Sequence, residues 1–147
     1  LAAKKIKNDL IYFNSDLIVK DKSLNKLLDN RYKNVILSRK VKQNDFTILQ
    51  KILHRKNKIF KMDLGPIANC KYEAIGPIRI SYKMLSVLLN YKKKINKIYL
   101  KKMPCYTYFG LISKETDLYK EDIQDNSWYE INNIKDLKKI KKIFFKI

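Results

Sequence analysis

A short apolar run followed by a polar turn, near the start of the chain, limits the possible folds more than any other feature. Ile11-Tyr12-Phe13 is typical of a strand, and Asn14-Ser15 after it is typical of a turn. Residues 2–8 before the run are basic and have the spacing of the end of a helix, and Leu17-Ile18-Val19 forms a second short apolar run that is rich in β-branched residues. The pattern predicts a helix, a short strand and a tight turn in succession.

A second segment also combines a short apolar run with a polar turn. Lys40-Val41-Lys42 leads into Gln43-Asn44-Asp45, and Phe46-Thr47-Ile48 follows. Asn and Asp adopt left-handed or tight backbone conformations more readily than other non-glycine residues. We therefore expect a strand that is entered through a polar turn at Asn44-Asp45.

Together the two segments resemble the small RNA-binding module of the ribosomal protein S-four family. That module has a basic helix, a strand and an Asn-containing turn, followed later by a Val-Lys-x-Gly-Asp-x-Ile segment. The positions that match here are Ala2, Ile6, Ile11, Phe13, Asn14, Val41, Lys42, Asp45, Thr47 and Ile48. Asp9, Ser15 and Asn44 stand where the family usually has glycine. The resemblance implies binding of folded RNA without catalysis.

A later part of the chain extends this resemblance. Tyr82-Lys83-Met84-Leu85 and, after Met103-Pro104, the aromatic segment Tyr106–Phe109 follow the order of the family's C-terminal part. The resemblance implies an organellar, mitochondrial-type member, in keeping with a composition typical of an AT-rich genome. The expected fold class is α+β, with an S-four type RNA-binding module of helix plus small β-hairpin sheet, a wrapped mixed C-terminal part and a terminal basic helix.

The resemblance also divides the chain into three segments. Residues 1–52 correspond to the RNA-binding module, with an insertion at about 21–38 and with its first helix expected before residue 1. Residues 53–112 correspond to the C-terminal part of the family, and residues 113–147 are an extension. The extension ends in a predicted amphipathic basic helix, expected to pack on a neighbouring protein or lie along RNA rather than on a membrane. Its apolar stripe is Ile134, Leu137, Ile140, Phe144 and Ile147.

The charge of the chain favours a polyanionic partner. Lys and Arg number 33 against 14 Asp and Glu, which gives a formal charge of +19. Charge of this size repels itself in an isolated monomer, and nucleic acid is a more common partner for it than an anionic membrane. Most of the cations are lysines, which contact phosphates rather than read bases. No apolar run approaches the about 20 residues of a membrane-spanning helix.

The candidate RNA-binding residues follow from where the resemblance places the helix and the hairpin. They are Lys4, Lys5, Lys7, Asn8, Tyr12 and Asn14 on the helix–strand side, Arg39, Lys40, Lys42 and Gln43 on the returning hairpin, and then Arg55, Lys56, Lys58 and Lys83. Lysines of this kind neutralise closely spaced phosphates and release counterions. We therefore expect the side chains of the returning hairpin to be exposed.

The sequence does not indicate an enzyme. The chain has 3 glycines, no glycine-rich phosphate-binding loop and no nucleophile elbow. Cys70, Cys105 and His54 are too few and too far apart for a typical metal site, so neither a metal nor another cofactor is expected. One alternative is an RNA-modifying enzyme of the pseudouridine synthase type that carries the same module. Another is a basic subunit of an organellar membrane complex.

The resemblance thus implies a structural constituent of the mitochondrial small ribosomal subunit, which binds rRNA and aids subunit assembly and translation. Its expected partners are the small-subunit rRNA and neighbouring small-subunit ribosomal proteins, without stable membrane insertion. The expected location is the mitochondrial matrix, with a plastid as the alternative.

Overall fold

The computed structural model describes residues 6–41, 50–64, 70–95 and 103–144. Its helices in chain order are α1 (Asp21–Leu28), α2 (Tyr82–Lys94), α3 (Cys105–Ile112) and α4 (Ile134–Phe144), with a 3-10 turn at Asp125–Ser127. Its strands are β1 (Leu10–Tyr12), β2 (Leu17–Val19), β3 (Val35–Lys40), β4 (Lys51–Arg55), β5 (Lys58–Asp63), β6 (Tyr72–Ile80), β7 (Tyr119–Asp122) and β8 (Trp128–Glu130). Strands and helices are interspersed along the chain, as in folds that pack helices on a sheet.

β6 organises the main sheet because it pairs with several other strands. β1, β3 and β4 all run antiparallel to it, and Ile36 of β3 lies opposite Ile78. β3 also pairs in parallel with β7, while β7 pairs with β5 and β5 with β4. Within the described residues, these pairings close a ring in the order β6-β3-β7-β5-β4, and β1 lies outside the ring on β6. The architecture is a small mixed barrel with one added edge strand.

A separate two-stranded sheet joins early and late parts of the chain. β2 and β8 run antiparallel, with Leu17 opposite Glu130. The backbone amide of Ile131 then donates a hydrogen bond of 2.8 Å to the carbonyl oxygen of Asp16. This pairing places the turn between β1 and β2 beside the residues that follow β8.

The alternation of side chains along β3 supplies two apolar cores, because successive residues of a strand point to opposite faces. Ile36 lies in the larger core, and Val35 and Leu37 lie in the smaller one. The larger core also contains Ile78, Met84, Ile112 and Leu118, and the smaller core contains Leu27, Ile75 and Ile123. Helices α2 and α3 therefore cover the first core, and α1 covers the second.

A buried ion cluster ties three strands together. The Glu73 side chain on β6 is fully buried, and it accepts hydrogen bonds from Arg39 Nε at 2.6 Å and from Lys51 Nζ at 2.5 Å. Arg39 on β3 and Lys51 on β4 are both direct cross-strand neighbours of Glu73. Because a buried carboxylate is costly without cationic partners, the cluster favours this register of β3 and β4 on β6.

The expected fold class, an S-four type module of helix plus hairpin, is wrong. Residues 6–8 are not helical, and residues 1–5 and 42–49 of the two signature segments lie outside the described residues. The predicted insertion at 21–38 contains α1 and most of β3, a strand that is buried and paired on both edges. Strands from all three predicted segments share one sheet, since β7 pairs with β3. The short apolar runs were identified, but their pairing partners differ from those of the module.

Helix α4 lies at the position of the predicted basic amphipathic helix, near the end of the described chain. Ile140 is buried, whereas 70% of Ile134 and 37% of Leu137 are exposed. Phe144 packs edge-on against Tyr129, with ring centroids 5.4 Å apart. The apolar stripe is thus only partly covered by the described residues. None of the helices in the described part of the chain has the length and apolar character needed to span a membrane.

Candidate active site

The turn between β1 and β2 presents a carboxylate. Residues 15 and 16 form the turn, and the amide of Leu17 donates to the carbonyl oxygen of Asn14 at 3.3 Å. The Oδ1 atom of Asp16 is buried and has no hydrogen-bond partner among the described residues. Buried polar atoms are usually satisfied, so an orphaned carboxylate oxygen at a turn indicates a position for a ligand, an ion or a water molecule.

Gly76 on β6 allows the turn to lie close to the sheet. Its φ is +130°, and a Cβ built on it would lie 2.1 Å from Cδ1 of Leu17, the residue after Asp16. An L side chain would be strained at this φ and would also collide with Leu17. Gly76 therefore provides the space that the Asp16 turn occupies.

The hydroxyl group of Tyr106 links this turn to α3 and β6. It lies 2.9 Å from Oδ1 of Asn14 and 2.9 Å from the carbonyl oxygen of Gly76. Burial, followed by the proximity of Tyr12 and Cys105, raises the pKa of Tyr106 well above its ordinary value. The neutral hydroxyl has one proton, which it can donate to either acceptor, and its contacts with both hold the first turn of α3 against the Asp16 turn.

Cys105 and Tyr12 complete this wall of the site. Burial raises the pKa of the Cys105 thiol, although a hydrogen bond with Tyr12 opposes the shift. The pKa of Tyr12 is also raised, first by burial and then by Cys105 and Asp16. A thiol with a raised pKa is a poor nucleophile at neutral pH, since the thiolate is the reactive form. The wall is therefore neutral, and negative charge on this side is concentrated on Asp16.

β8 and the residues that follow it lie next to the Asp16 turn. Glu130 is half-buried opposite Leu17, and Asn132 is exposed two residues further on, beyond the hydrogen bond between Ile131 and Asp16. The two chain segments thus lie side by side at Asp16 and Ile131. The Asp16 turn, with its buried and unpartnered carboxylate oxygen, is the acidic site of this structure.

The acidic site is suited to a cation that is held only in part by protein. In the described residues, no group of three or more His, Cys, Asp and Glu side chains is arranged to hold a metal ion. Mg²⁺ in phosphate-handling enzymes usually has one or two protein carboxylates and takes its other ligands from water and substrate phosphates. The orphaned Oδ1 of Asp16 fits that pattern, because it offers a carboxylate oxygen that no described protein group uses.

The structure distributes the residues predicted to bind RNA over several places. Tyr12 and Asn14 lie beside Asp16, and Lys83 lies at the start of α2 with Asp9 and Asp117 around a separate pocket. Three others, Lys7, Asn8 and Lys40, are exposed. At the turn between β4 and β5, Arg55, Lys56 and Lys58 lie together. The remaining four, Lys4, Lys5, Lys42 and Gln43, lie outside the described residues. RNA contact by these residues stays a prediction.

Arg39 was expected to be exposed on the returning hairpin, and this expectation is wrong. Only 8% of Arg39 is exposed, because it binds Glu73 and lies over the Trp128 ring at 5.3 Å. Lys40, the next residue, is exposed as expected. A basic residue inside a strand can point to either face, and the sequence did not show that a buried carboxylate faces position 39.

Sequence reasoning missed Asp16. The available signal was an acidic residue in the turn between two apolar runs, since polar residues at strand ends often carry function. The pairing of that turn with residue 131 could not be predicted, because the two positions are far apart in the chain.

Comparison with known proteins gives the fold a context. No protein-family model and no curated protein matches the chain. Among solved structures, an inositol-1-phosphate CTP transferase from T. maritima superposes with a TM-score of 0.70 at 16% identity, covering 99% of this chain and 58% of that one. A protein from Bacillus anthracis described as a glucose-1-phosphate thymidylyltransferase, in complex with sucrose, gives 0.69 at 12% identity, with coverages of 96% and 56%.

A third neighbour carries the same kind of name. The CTP:phosphocholine cytidylyltransferase from Streptococcus pneumoniae gives a TM-score of 0.61 at 18% identity, covering 90% of this chain and 56% of that one. At these identities the likeness shows a shared fold. The chain spans less than two thirds of the length of each of these three structures.

These neighbours overturn the ribosomal interpretation. The fold is that of nucleotidyltransferases and not that of the S-four family, so the identification with that family and the expected role in rRNA binding and translation are wrong. The expectation of a protein without enzymatic activity is contradicted as well, because the three proteins that share this fold are transferases. The pseudouridine synthase and membrane-complex alternatives gain no support.

Proposed function

We propose that this chain forms the Asp16-containing part of a nucleotidyltransferase, which transfers a nucleotidyl group from a nucleoside triphosphate to a phosphorylated small molecule. The observation that carries the proposal is the buried, unpartnered Oδ1 of Asp16 in a fold shared with such enzymes. The names of these neighbours pair a nucleotide with glucose-1-phosphate, phosphocholine or inositol-1-phosphate. A phosphomonoester acceptor is their common chemistry.

The proposed reaction is a single displacement at phosphorus. A phosphate oxygen of the acceptor forms a bond to the α-phosphorus of the triphosphate, the bond from the α-phosphorus to the bridging oxygen breaks, and pyrophosphate leaves with the electron pair. Such reactions depend on alignment and on stabilisation of negative charge rather than on covalent chemistry by the protein. The requirement is therefore a site that gathers phosphates against their mutual repulsion.

The acidic site meets this requirement through its oxygen atoms. Asp16 would hold a divalent cation, which would supply positive charge to the phosphate oxygens when bound. Tyr106 orients the turn by contacting Asn14 and Gly76. The raised pKa values of Tyr12, Tyr106 and Cys105 keep that wall neutral near pH 7, so it adds no repulsion toward phosphates.

The proposal is tested with Asp16→Asn and a matched control, Asp29→Asn, which neutralises an exposed carboxylate at the end of α1. Mn²⁺ binding is measured by electron paramagnetic resonance. Pyrophosphate release is measured with CTP and with dTTP, each in combination with glucose-1-phosphate, phosphocholine and inositol-1-phosphate. Asp16→Asn should weaken Mn²⁺ binding and lower turnover by about 100-fold, the usual cost of removing one group that stabilises developing charge. Asp29→Asn should change neither.

Two results would contradict the proposal. One is unchanged Mn²⁺ affinity in a folded Asp16→Asn variant. The other is a set of products in which the nucleotide is hydrolysed but never joined to an acceptor phosphate.

A further inference from the structure

A basic groove lies at the turn between β4 and β5 and shares no residue with the acidic site. It has a volume of about 690 Å³, and its lining includes Arg55, Lys56, Phe60, Lys114 and Tyr119. Lys58 and Tyr32 also line it. The groove thus combines cations with aromatic side chains, and the proposed transfer reaction makes no use of it.

The cations of the groove lie close together although their like charges repel. Arg55 and Lys58 are direct cross-strand partners on either side of a turn in which Lys56 has φ of +48°. Like charges directly opposite each other in a sheet are destabilising. Lys58 is compensated by Asp117, with Nζ and Oδ1 2.5 Å apart. Arg55, Lys56 and Lys114 have no acidic partner among the described residues, so their charge is available to an anion.

The turn that carries these cations is held in place by backbone hydrogen bonds. The amide of Lys120 donates to the carbonyl oxygen of Asn57 at 2.9 Å, and the amide of Ile59 donates to that of Leu118 at 2.8 Å. Asn57 has φ of +66°, so both central residues of the turn are left-handed, as in the tight hairpins that match strand twist. The groove is therefore built on a fixed hairpin, and little ordering is needed when a ligand binds.

The aromatic part of the groove provides a flat apolar surface. Phe60 is 52% exposed although it is a large apolar residue on a paired strand. Tyr32 and Tyr119 are stacked, with centroids 3.6 Å apart and an interplanar angle of 5°. Planar bases stack on aromatic side chains with useful energy and with tolerance for base identity. A ligand that combines phosphate groups with a planar ring satisfies both halves of the groove.

We propose that the basic groove binds a free nucleotide, with its phosphates on Arg55, Lys56 and Lys114 and its base against Phe60. The proposal does not rest on the transfer reaction, because no residue of the acidic site takes part. It assigns a second nucleotide-sized site, on the β4–β5 hairpin of the barrel.

The test measures binding of ATP, CTP and sodium tripolyphosphate by calorimetry in buffer with EDTA, which keeps metal-dependent binding at Asp16 out of the signal. The groove variant is Arg55→Gln, Lys56→Gln and Lys114→Gln. The matched control is Lys135→Gln, Lys138→Gln and Lys142→Gln, which removes the same net charge from exposed positions on α4. The groove variant should lose about tenfold in affinity for ATP, and the control should lose about twofold or less.

Phe60→Ser separates base stacking from charge. It should weaken ATP and CTP binding by about tenfold while leaving tripolyphosphate binding unchanged. The Asp16→Asn variant should bind nucleotide in EDTA as the unchanged protein does, so failure of the transfer proposal and failure of this one are distinguishable. Amide chemical shifts should change on ATP addition at residues 55–60, 114 and 119.

Three outcomes would overturn the proposal. An equal loss of ATP affinity in the groove variant and in the α4 control would mean that net charge alone attracts the nucleotide. Retention of ATP affinity by Phe60→Ser would mean that the groove holds only phosphate. Binding of a single-stranded oligonucleotide much more tightly than ATP, lost in the groove variant, would assign the groove to nucleic acid.

Discussion

Gly76→Ala tests whether the Asp16 turn depends on the absence of a side chain on β6. The new Cβ would lie 2.1 Å from Cδ1 of Leu17, well inside the 3.4 Å at which ordinary van der Waals contact begins. Backbone strain at φ of +130° should cost about 1–3 kcal/mol, and displacing a core leucine should cost about 1–3 kcal/mol more. The free energy of unfolding should therefore fall by about 2–6 kcal/mol, and Tm by roughly 5–25 °C.

The measurement is urea unfolding, together with Mn²⁺ binding below the unfolding transition. A double-mutant cycle with Leu17→Ala separates the two costs, because truncating Leu17 relieves the collision but not the backbone strain. Gly110→Ala is the control, since its Cβ would lie 2.5 Å from the carbonyl oxygen of Met62, outside the Asp16 turn. Both glycine variants should lose stability, but only Gly76→Ala should weaken Mn²⁺ binding. Full stability of Gly76→Ala, or no relief in the Leu17→Ala background, would refute the reasoning.

Three further changes probe other parts of the structure. Glu73→Gln removes the charge between the buried Arg39 and the partly buried Lys51 and should cost about 3–5 kcal/mol by urea unfolding; a loss below about 1 kcal/mol would contradict the role given to the cluster. Tyr106→Phe leaves the Asn14 amide without its hydroxyl partner and should cost about 1–2 kcal/mol, with weaker Mn²⁺ binding, whereas unchanged values would separate Tyr106 from the site. Burial and Lys120 lower the pKa of His54 below 6.5, so the folded state binds fewer protons there than the unfolded chain. The free energy of unfolding should then rise with pH up to about 6.5, and this dependence should flatten in His54→Gln, which pH-dependent urea unfolding would detect.

Local elements were accessible from the sequence because they depend on local patterns. The apolar runs around residues 11 and 17 are strands, and the stripe that includes Ile140 is a helix. Their assembly was not accessible, because a strand–turn–strand pattern with Asn and Asp occurs in many folds. The match to the S-four module around residues 11–15 does contain a strand and a turn, but the resemblance assigned them the wrong neighbours.

The candidate site was harder to predict than the fold, for a physical reason. Two features of the folded protein identify Asp16 as a candidate site residue. Its buried Oδ1 atom has no partner among the described residues, and its backbone pairs with the segment after a distant strand. Lys120 shows the same difficulty, since it looks like a surface cation and yet only 2% of it is exposed, with Asp122 at 2.7 Å and the Tyr72 ring at 3.6 Å. A charged residue in a sequence does not show whether water or another charge surrounds it in the folded protein.

The pairing of β2 with β8 also has a kinetic consequence. Leu17 and Glu130 lie opposite each other across a long stretch of chain, and closing such a loop must precede any gain from the contact. The β4–β5 hairpin, by contrast, forms between neighbouring residues and can appear while synthesis continues. During translation, the basic groove can therefore begin to form early, whereas the surroundings of Asp16 can assemble only after residue 130 has left the ribosome.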